Sequence, residues 1–129
     1  MNSKNNFKGF GDSFKGFGDS LINFLYSLAK SKVIKTWTGK KVSNYVLSRA
    51  LIRSDLDQPG GLDKHEKGDF VEGYIAEAWI NRVISLDEAS LTLESTLKRF
   101  DLEDNEQEAM VEAFKDLLNV IQTRLQAGE

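Results

Sequence analysis

Apolar residues recur at three- and four-residue spacing along most of the chain, and strand-like alternation is hard to find. Leu21, Phe24, Leu25 and Leu28, widened by Ile22 and Tyr26, predict a first helix over residues 18–34, broken by Thr38-Gly39-Lys40-Lys41. Val42, Tyr45, Val46, Ala50 and Leu51 predict a second over 42–53. The stretch DLDQPGGLDKHEKG, 55–68, reads as a loop, because Pro-Gly-Gly is the strongest turn signal present. Phe70, Val71, Tyr74, Ile75, Ala78 and Trp79 then give a third helix, 68–83, whose broad apolar face suits the centre of a bundle. Ser85 with Glu88 three residues on is a capping-box start for a fourth, 86–99. Met110, Ala113, Phe114, Leu117, Leu118, Ile121 and Leu125 mark a last helix, 105–126. The expectation is an all-α domain, a compact bundle of about five helices. Trp79, Phe24 and Tyr74 read as core residues.

One segment resists this pattern. FKGFGDSFKGFGDS, 7–20, states the same seven residues twice, and only the second copy runs into an apolar helical face. Each of its glycines, Gly9, Gly11, Gly16 and Gly18, costs a helix interior about 1 kcal/mol relative to alanine. The first copy is therefore expected to fray, which makes 1–13 a mobile N-terminal arm and 14–129 the single helical domain. The repeat is too short for a solenoid unit and reads as a local duplication.

Composition narrows the chemistry. The chain has 129 residues, enough for one core without staples. It has no cysteine, which removes disulfides, thiolate metal sites and cysteine nucleophiles, and its one histidine, His65, removes a multi-histidine cage. MNSKNNFKGF lacks the apolar centre of a secretion signal, and no segment reaches the roughly 20 apolar residues of a membrane span, so a cytoplasmic location is expected. The net charge of −3 conceals an asymmetry: residues 1–53 carry ten Lys/Arg against Asp12 and Asp19, whereas 85–129 carry four against eleven acids. Such a basic half can hold a polyanion within an acidic protein, since screening confines fields to about 8 Å. KSKVIKTWTGKK, 30–41, concentrates this charge in Lys30, Lys32, Lys35, Lys40 and Lys41 around Trp37, with Arg49 and Arg53 as a continuation. It reads either as a phosphate-contacting surface or as a solvated face.

Two acidic features stand out. Asp19 sits in GFGDSLINF, at or near the start of the first helix, and Asp69 with Glu72 sits in KGDFVEGYIAEAWI. The three-residue spacing puts Asp69 and Glu72 on one side of their helix, off the face carrying Phe70, Tyr74 and Trp79. Gly73 and Ala76 beside them leave room for a helix, an ion or a substrate to come close. Three carboxylates from two helices suit a hard cation such as Mg²⁺, which activates water and clamps a phosphodiester. The same Asp-x-x-Glu also occurs on plain solvated helix faces. His65 precedes the acidic helix in the loop and reads as a surface residue. There is no Gly-x-x-x-x-Gly-Lys phosphate loop, and Ser20 has no histidine partner for nucleophilic catalysis.

GFGDSLINF resembles the Leu-Gly-Asp-Ser/Ala signature of the ribonuclease III endonuclease domain, and GDFVEGYIAEAWI resembles that family's later Asp-x-x-Glu-Ala-Leu-Ile-Gly-Ala helix, at a fitting separation of about 50 residues. VSNYVLSRAL, 42–51, is similar to the linking helix of the Mini-ribonuclease III branch. The chain as a whole resembles small archaeal stand-alone members without a double-stranded RNA-binding domain.

The resemblance implies a homodimer that binds double-stranded or structured RNA, and the apolar faces of the first and third helices are expected to supply its buried surface. It also implies a Mg²⁺-dependent endoribonuclease, with Mn²⁺ as a substitute ion. Asp69 and Glu72 would hold the metal, and Asp19 would complete the catalytic set. The alternative is a catalytically degraded dimer that binds RNA or a protein partner without cleaving. The departure that separates them is Lys15, which stands where the family has its first metal-binding glutamate, four residues before Asp19. A lysine about 6 Å from a divalent ion is repelled by roughly 5 kcal/mol at an effective dielectric near 20. Three arrangements accommodate it. Its stem can swing into solvent, Asp12 can join as a replacement ligand if the helix runs back through the glycines, or Lys15 can meet the phosphate itself.

Overall fold

The computed structural model describes residues 11–128, with side chains from Phe14 onward. Five helices follow one another: α1 (Gly11–Ile34), α2 (Asn44–Arg53), α3 (Lys64–Ile80), α4 (Leu86–Leu97) and α5 (Leu102–Ala127). No strand occurs among the described residues. The all-α expectation stands. Among the described residues no helix is long and apolar enough to cross a membrane.

Local sequence explains most boundaries. Ser43 caps α2 by accepting from Val46 N. The Ser85/Glu88 box forms as expected: Glu88 N donates to Ser85 Oγ at 3.1 Å, and Ser85 N to Glu88 Oε1 at 3.0 Å. A second box, Asp63 with Glu66, starts α3 four residues earlier than the loop reading allowed, so His65 lies in the first helical turn rather than in a loop. Asp101 caps α5 through Glu103 N, and a non-helical Asn105 kinks that helix one turn in. At the end of α1, Lys35 takes a left-handed φ of 61° and terminates the helix at Ile34, the expected last residue. Helix α1 begins at Gly11, seven residues before expectation, because Gly16 and Gly18 are carried inside a helix that packs. Residues 1–10 of the expected arm, and the Asp12 side chain, lie outside the described residues.

By principal contacts the helices form a closed ring, in the order α1, α3, α2, α5, α4 and back to α1. Each helix sends fully buried side chains inward: Ile22 and Tyr26 from α1, Ile75 from α3, Leu47 and Leu51 from α2, Phe114 and Leu117 from α5, and Leu93 from α4. The Tyr26 and Phe114 rings meet across the interior at 6.3 Å. The inward face of α1 is thus centred on Ile22 and Tyr26, and Phe24 is 53% exposed, contrary to its reading as core. Trp79 and Tyr74 are half-buried and pack against the core from its edge.

Candidate functional site

The motif glycine Gly18 is where α1 and α3 come closest. A Cβ there would lie 3.2 Å from Glu72 Cβ and 3.3 Å from its carbonyl oxygen. This approach brings Asp19 beside Glu72, and one turn earlier it brings Lys15 over Asp69. Lys15, Asp19, Ile22 and Tyr26 follow one another at four, three and four residues, so a single stripe of α1 is polar at its N-terminal end and core at the other. Gly68 serves the same purpose on the far wall: a Cβ there would meet Asn44 Oδ1 at 2.5 Å, so α2 can start directly against α3.

The result is an open pocket of about 330 Å³. Lys15, Gly16 and Asp19 line it from α1, Asp69 and Glu72 from α3, and Lys41 to Asn44 from the connection into α2. Lys15 Nζ stands 3.1 Å from Asp69 Oδ2. Glu72 is only 5% exposed, which overturns the solvated-face reading for that residue. Burial pushes its carboxyl up to about 7, helped by a hydrogen bond to Asp19 and by repulsion from Asp19 and Asp69, while Lys15 pulls the other way. Asn23 Nδ2 approaches Asp19 Oδ2 at 3.5 Å, so Asp19 stands between Asn23 and Glu72.

The segment after α1 is laced to it by a ladder of side chains at four-residue spacing. Asn23 Oδ1 accepts from Val42 N at 2.8 Å, Ser27 Oγ from Lys40 N at 2.8 Å, and Ser31 Oγ from Thr38 N at 2.9 Å. The two serines also donate back, Ser27 to the Lys40 carbonyl and Ser31 to that of Thr38. This strap, Thr38–Val42, fixes Lys41 on the pocket rim. Asn23 belongs to both structures, since it holds Val42 and faces Asp19. Sequence reading overlooked Asn23, Asn44 and the ladder; the polar 23/27/31 repeat on an otherwise apolar helix was the available signal.

Other anticipated residues go elsewhere. Lys30 pairs with Glu106 Oε2 at 2.9 Å, with Lys40 approaching the other oxygen at 3.9 Å, and Tyr26 Oη donates to the same carboxylate at 2.8 Å. Lys32 and Lys35 line a separate cleft with Trp37. Arg53 is held by Glu108 and Glu112 of α5, at 2.6 and 2.8 Å, and does not extend a phosphate-binding patch. His65 stays on the surface, its Nδ1 2.7 Å from Asn44 Nδ2, which ties the start of α3 to the pocket wall.

A divalent ion is a poor fit to this arrangement. Among the described residues no three acidic or histidine side chains are grouped to hold a metal. Lys15 already occupies the cationic position against Asp69, and Glu72 is turned into a buried hydrogen bond with Asp19. A family model described as ribonuclease III matches residues 13–127. No curated protein matches the chain significantly.

Proposed function

This chain belongs to the ribonuclease III family, and from that premise we propose that it binds double-stranded or structured RNA with Lys15 as a built-in cation. The RNA lies across the face that carries the pocket and is held without metal-dependent hydrolysis. The observation that carries this reading is the 3.1 Å ion pair between Lys15 and Asp69. An ammonium at that point neutralises the carboxylate that a metal would need, and it places a positive charge in the pocket against which a phosphate can lie. Lys41 on the opposite rim adds a second positive charge. Phosphate contacts of this kind give affinity that falls steeply with salt and carries no sequence preference.

A second reading is Mg²⁺-dependent cleavage, in which Asp69 and Glu72 hold the ion and Asp19 completes the site. One observation favours it. A buried carboxyl raised to about 7 beside two more acids is a cluster that an added cation would relieve. It requires Lys15 to leave Asp69, and with a side chain 55% exposed the lysine has solvent to move into.

A symmetric homodimer is proposed with either reading. The apolar faces of α1 and α3 are largely consumed by the chain's own core, so the remaining surface for such an interface centres on Phe17 and Phe24, 40% and 53% exposed. The deciding experiment is a labelled double-stranded RNA incubated with Mg²⁺, beside the Asp69→Asn, Glu72→Gln double variant. The proposed reading expects both proteins to shift the RNA and neither to cut it. Cleavage by wild type alone would replace it with the second reading.

A further inference from the structure

Trp37 is 84% exposed, the most exposed large apolar side chain of the described residues. It does not hang from a loose loop. On its N-terminal side Lys35 holds the left-handed turn and Thr36 N donates to the Ser31 carbonyl at 3.2 Å; on its C-terminal side Ser31 clamps both backbone groups of Thr38. The indole is thus presented on a fixed backbone, beside a cleft of about 260 Å³ formed with Ser31, Thr36 and two lysines. No other aromatic ring stacks on it among the described residues.

Charge around it has one sign. From residue 20 to residue 54 the sequence contains no acid. The carboxylate that reaches this region from another element, Glu106, is engaged by Tyr26, Lys30 and Lys40. Lys32 and Lys35, the two lysines of the Trp37 cleft, enter no ion pair among the described residues, and neither does Lys41 on the pocket rim. The Thr38, Lys40 and Val42 backbones are bound in turn by Ser31, Ser27 and Asn23, so each pair of strap residues spans about 6 Å of helix and the Trp37 backbone lies about 12 Å along the strap from Lys41 on the pocket rim.

A rigid, solvent-facing indole flanked by unpaired ammonium groups is chemically matched to one planar, anionic partner. The geometry points to Trp37 as a stacking platform for an unpaired nucleotide of the bound RNA, with Lys32 and Lys35 on the flanking phosphates. Bases inside a duplex have both faces covered by their neighbours, so an indole on the protein surface can stack only on a base that is flipped out, overhanging or looped. The inference rests on the RNA-binding reading and refines it: the preferred ligand is a duplex with a single-stranded end or bulge, its paired part near the Lys15 pocket and its unpaired part on the strap.

The test compares a blunt duplex with the same duplex carrying a short overhang, in a binding titration at fixed salt. Proteins are wild type, Trp37→Ala, Trp37→Phe and Lys32→Gln/Lys35→Gln. Wild type should prefer the overhang by about 5- to 100-fold, the range one stacked base supplies. Trp37→Ala should lose that preference while keeping blunt-duplex affinity, and Trp37→Phe should keep most of it. The double lysine variant should weaken overhang binding and flatten its salt dependence. In a Trp79→Phe background, the remaining indole fluorescence should change with the overhang substrate and not with the blunt one. Equal affinity of wild type for both duplexes overturns the inference and leaves the RNA reading standing. Absence of any RNA binding at low salt overturns both. Concentration-dependent self-association abolished by Trp37→Ala would assign the indole to a protein contact instead and likewise overturn the inference.

Discussion

Toward its C-terminal half, α1 offers Tyr26 and Lys30 to one carboxylate, Glu106. Toward its N-terminal half it offers Lys15 to a group of three, Asp19, Asp69 and Glu72. The first meeting is closed and balanced. Burial alone would raise the Glu106 carboxyl, but the hydrogen bonds from Lys30 and Tyr26 outweigh it and hold the group below the ordinary carboxylate range, while the Tyr26 phenol is pushed up. The second meeting is open and short of positive charge, and its buried acid is pushed up to about 7. One helix therefore carries a staple and, three turns away, a site left electrostatically unsatisfied.

Breaking the staple should produce the largest effect. Glu106→Ala leaves the fully buried Tyr26 hydroxyl and the Lys30 ammonium without their shared acceptor, which costs about 3 kcal/mol. Thermal unfolding should show a fall in Tm on the order of 10 °C. Asp69→Asn at the open site should shift Tm by far less, since that ion pair is exposed to solvent. Equal losses from the two variants would erase the distinction.

The open site should reveal itself next through pH. With its pKa raised in the fold, Glu72 contributes stability that is fully present below its unfolded value, near 4.5, and is lost as pH rises through about 7. Glu72→Gln removes that loss. The variant should match wild type at pH 4 and exceed it by on the order of 2 kcal/mol at pH 8, read by denaturant titration. A constant difference across that range would mean that Glu72 is not the frustrated group.

Ion affinity sharpens the contrast further. Lys15→Glu removes the internal cation and adds a carboxylate at the position where the family carries one. It should raise affinity for Mg²⁺ or Mn²⁺ at least tenfold by calorimetry, about 1.4 kcal/mol, well inside the several kcal/mol of repulsion at stake. Wild type binding the ion as tightly as the variant would show that Lys15 leaves Asp69 readily, and would favour the cleavage reading.

Much of this architecture is legible in the sequence, and the illegible parts share a cause. Ser85 and Glu88 announce α4, and the long apolar repeat announces α5, because both signals are local. The same logic applies to Asp63 and Glu66, but the turn-rich residues before them mask it, so the sequence pattern starts α3 four residues late. Periodicity gives α1 an apolar face of Leu21, Phe24, Leu25 and Leu28 widened by Ile22 and Tyr26; Leu21, Ile22, Leu25 and Tyr26 are buried and Phe24 is exposed, and only the positions of the neighbouring helices decide which edge of that face turns outward. The acidic residues could be picked by type and spacing. What could not be read was that Lys30 and Lys15, alike in sequence, meet carboxylates in opposite surroundings, because Glu106 lies 76 positions from one and Asp69 lies 54 from the other.

The two glycines of the second repeat copy give the smallest and most local test of how the open site is assembled. Both sit inside α1, where alanine should gain up to about 1 kcal/mol from helix propensity and chain entropy. Gly16 has nothing within 4 Å of where its Cβ would stand, so Gly16→Ala should collect that gain. Gly18 faces Glu72 Cβ and backbone at 3.2–3.3 Å, so Gly18→Ala must push α1 away from α3 by a few tenths of an ångström. The strain should cancel or reverse the gain, giving a difference of about 1–2 kcal/mol between the two variants in denaturant unfolding. The displacement also separates Asp19 from Glu72, which weakens the hydrogen bond and the repulsion between them and should bring the Glu72 titration down toward the ordinary carboxylate range, as followed by NMR. If Gly18→Ala is as stable as Gly16→Ala and Glu72 still titrates near 7, the close crossing of the helices is not what creates the unsatisfied acid, and burial within α3's own surroundings suffices.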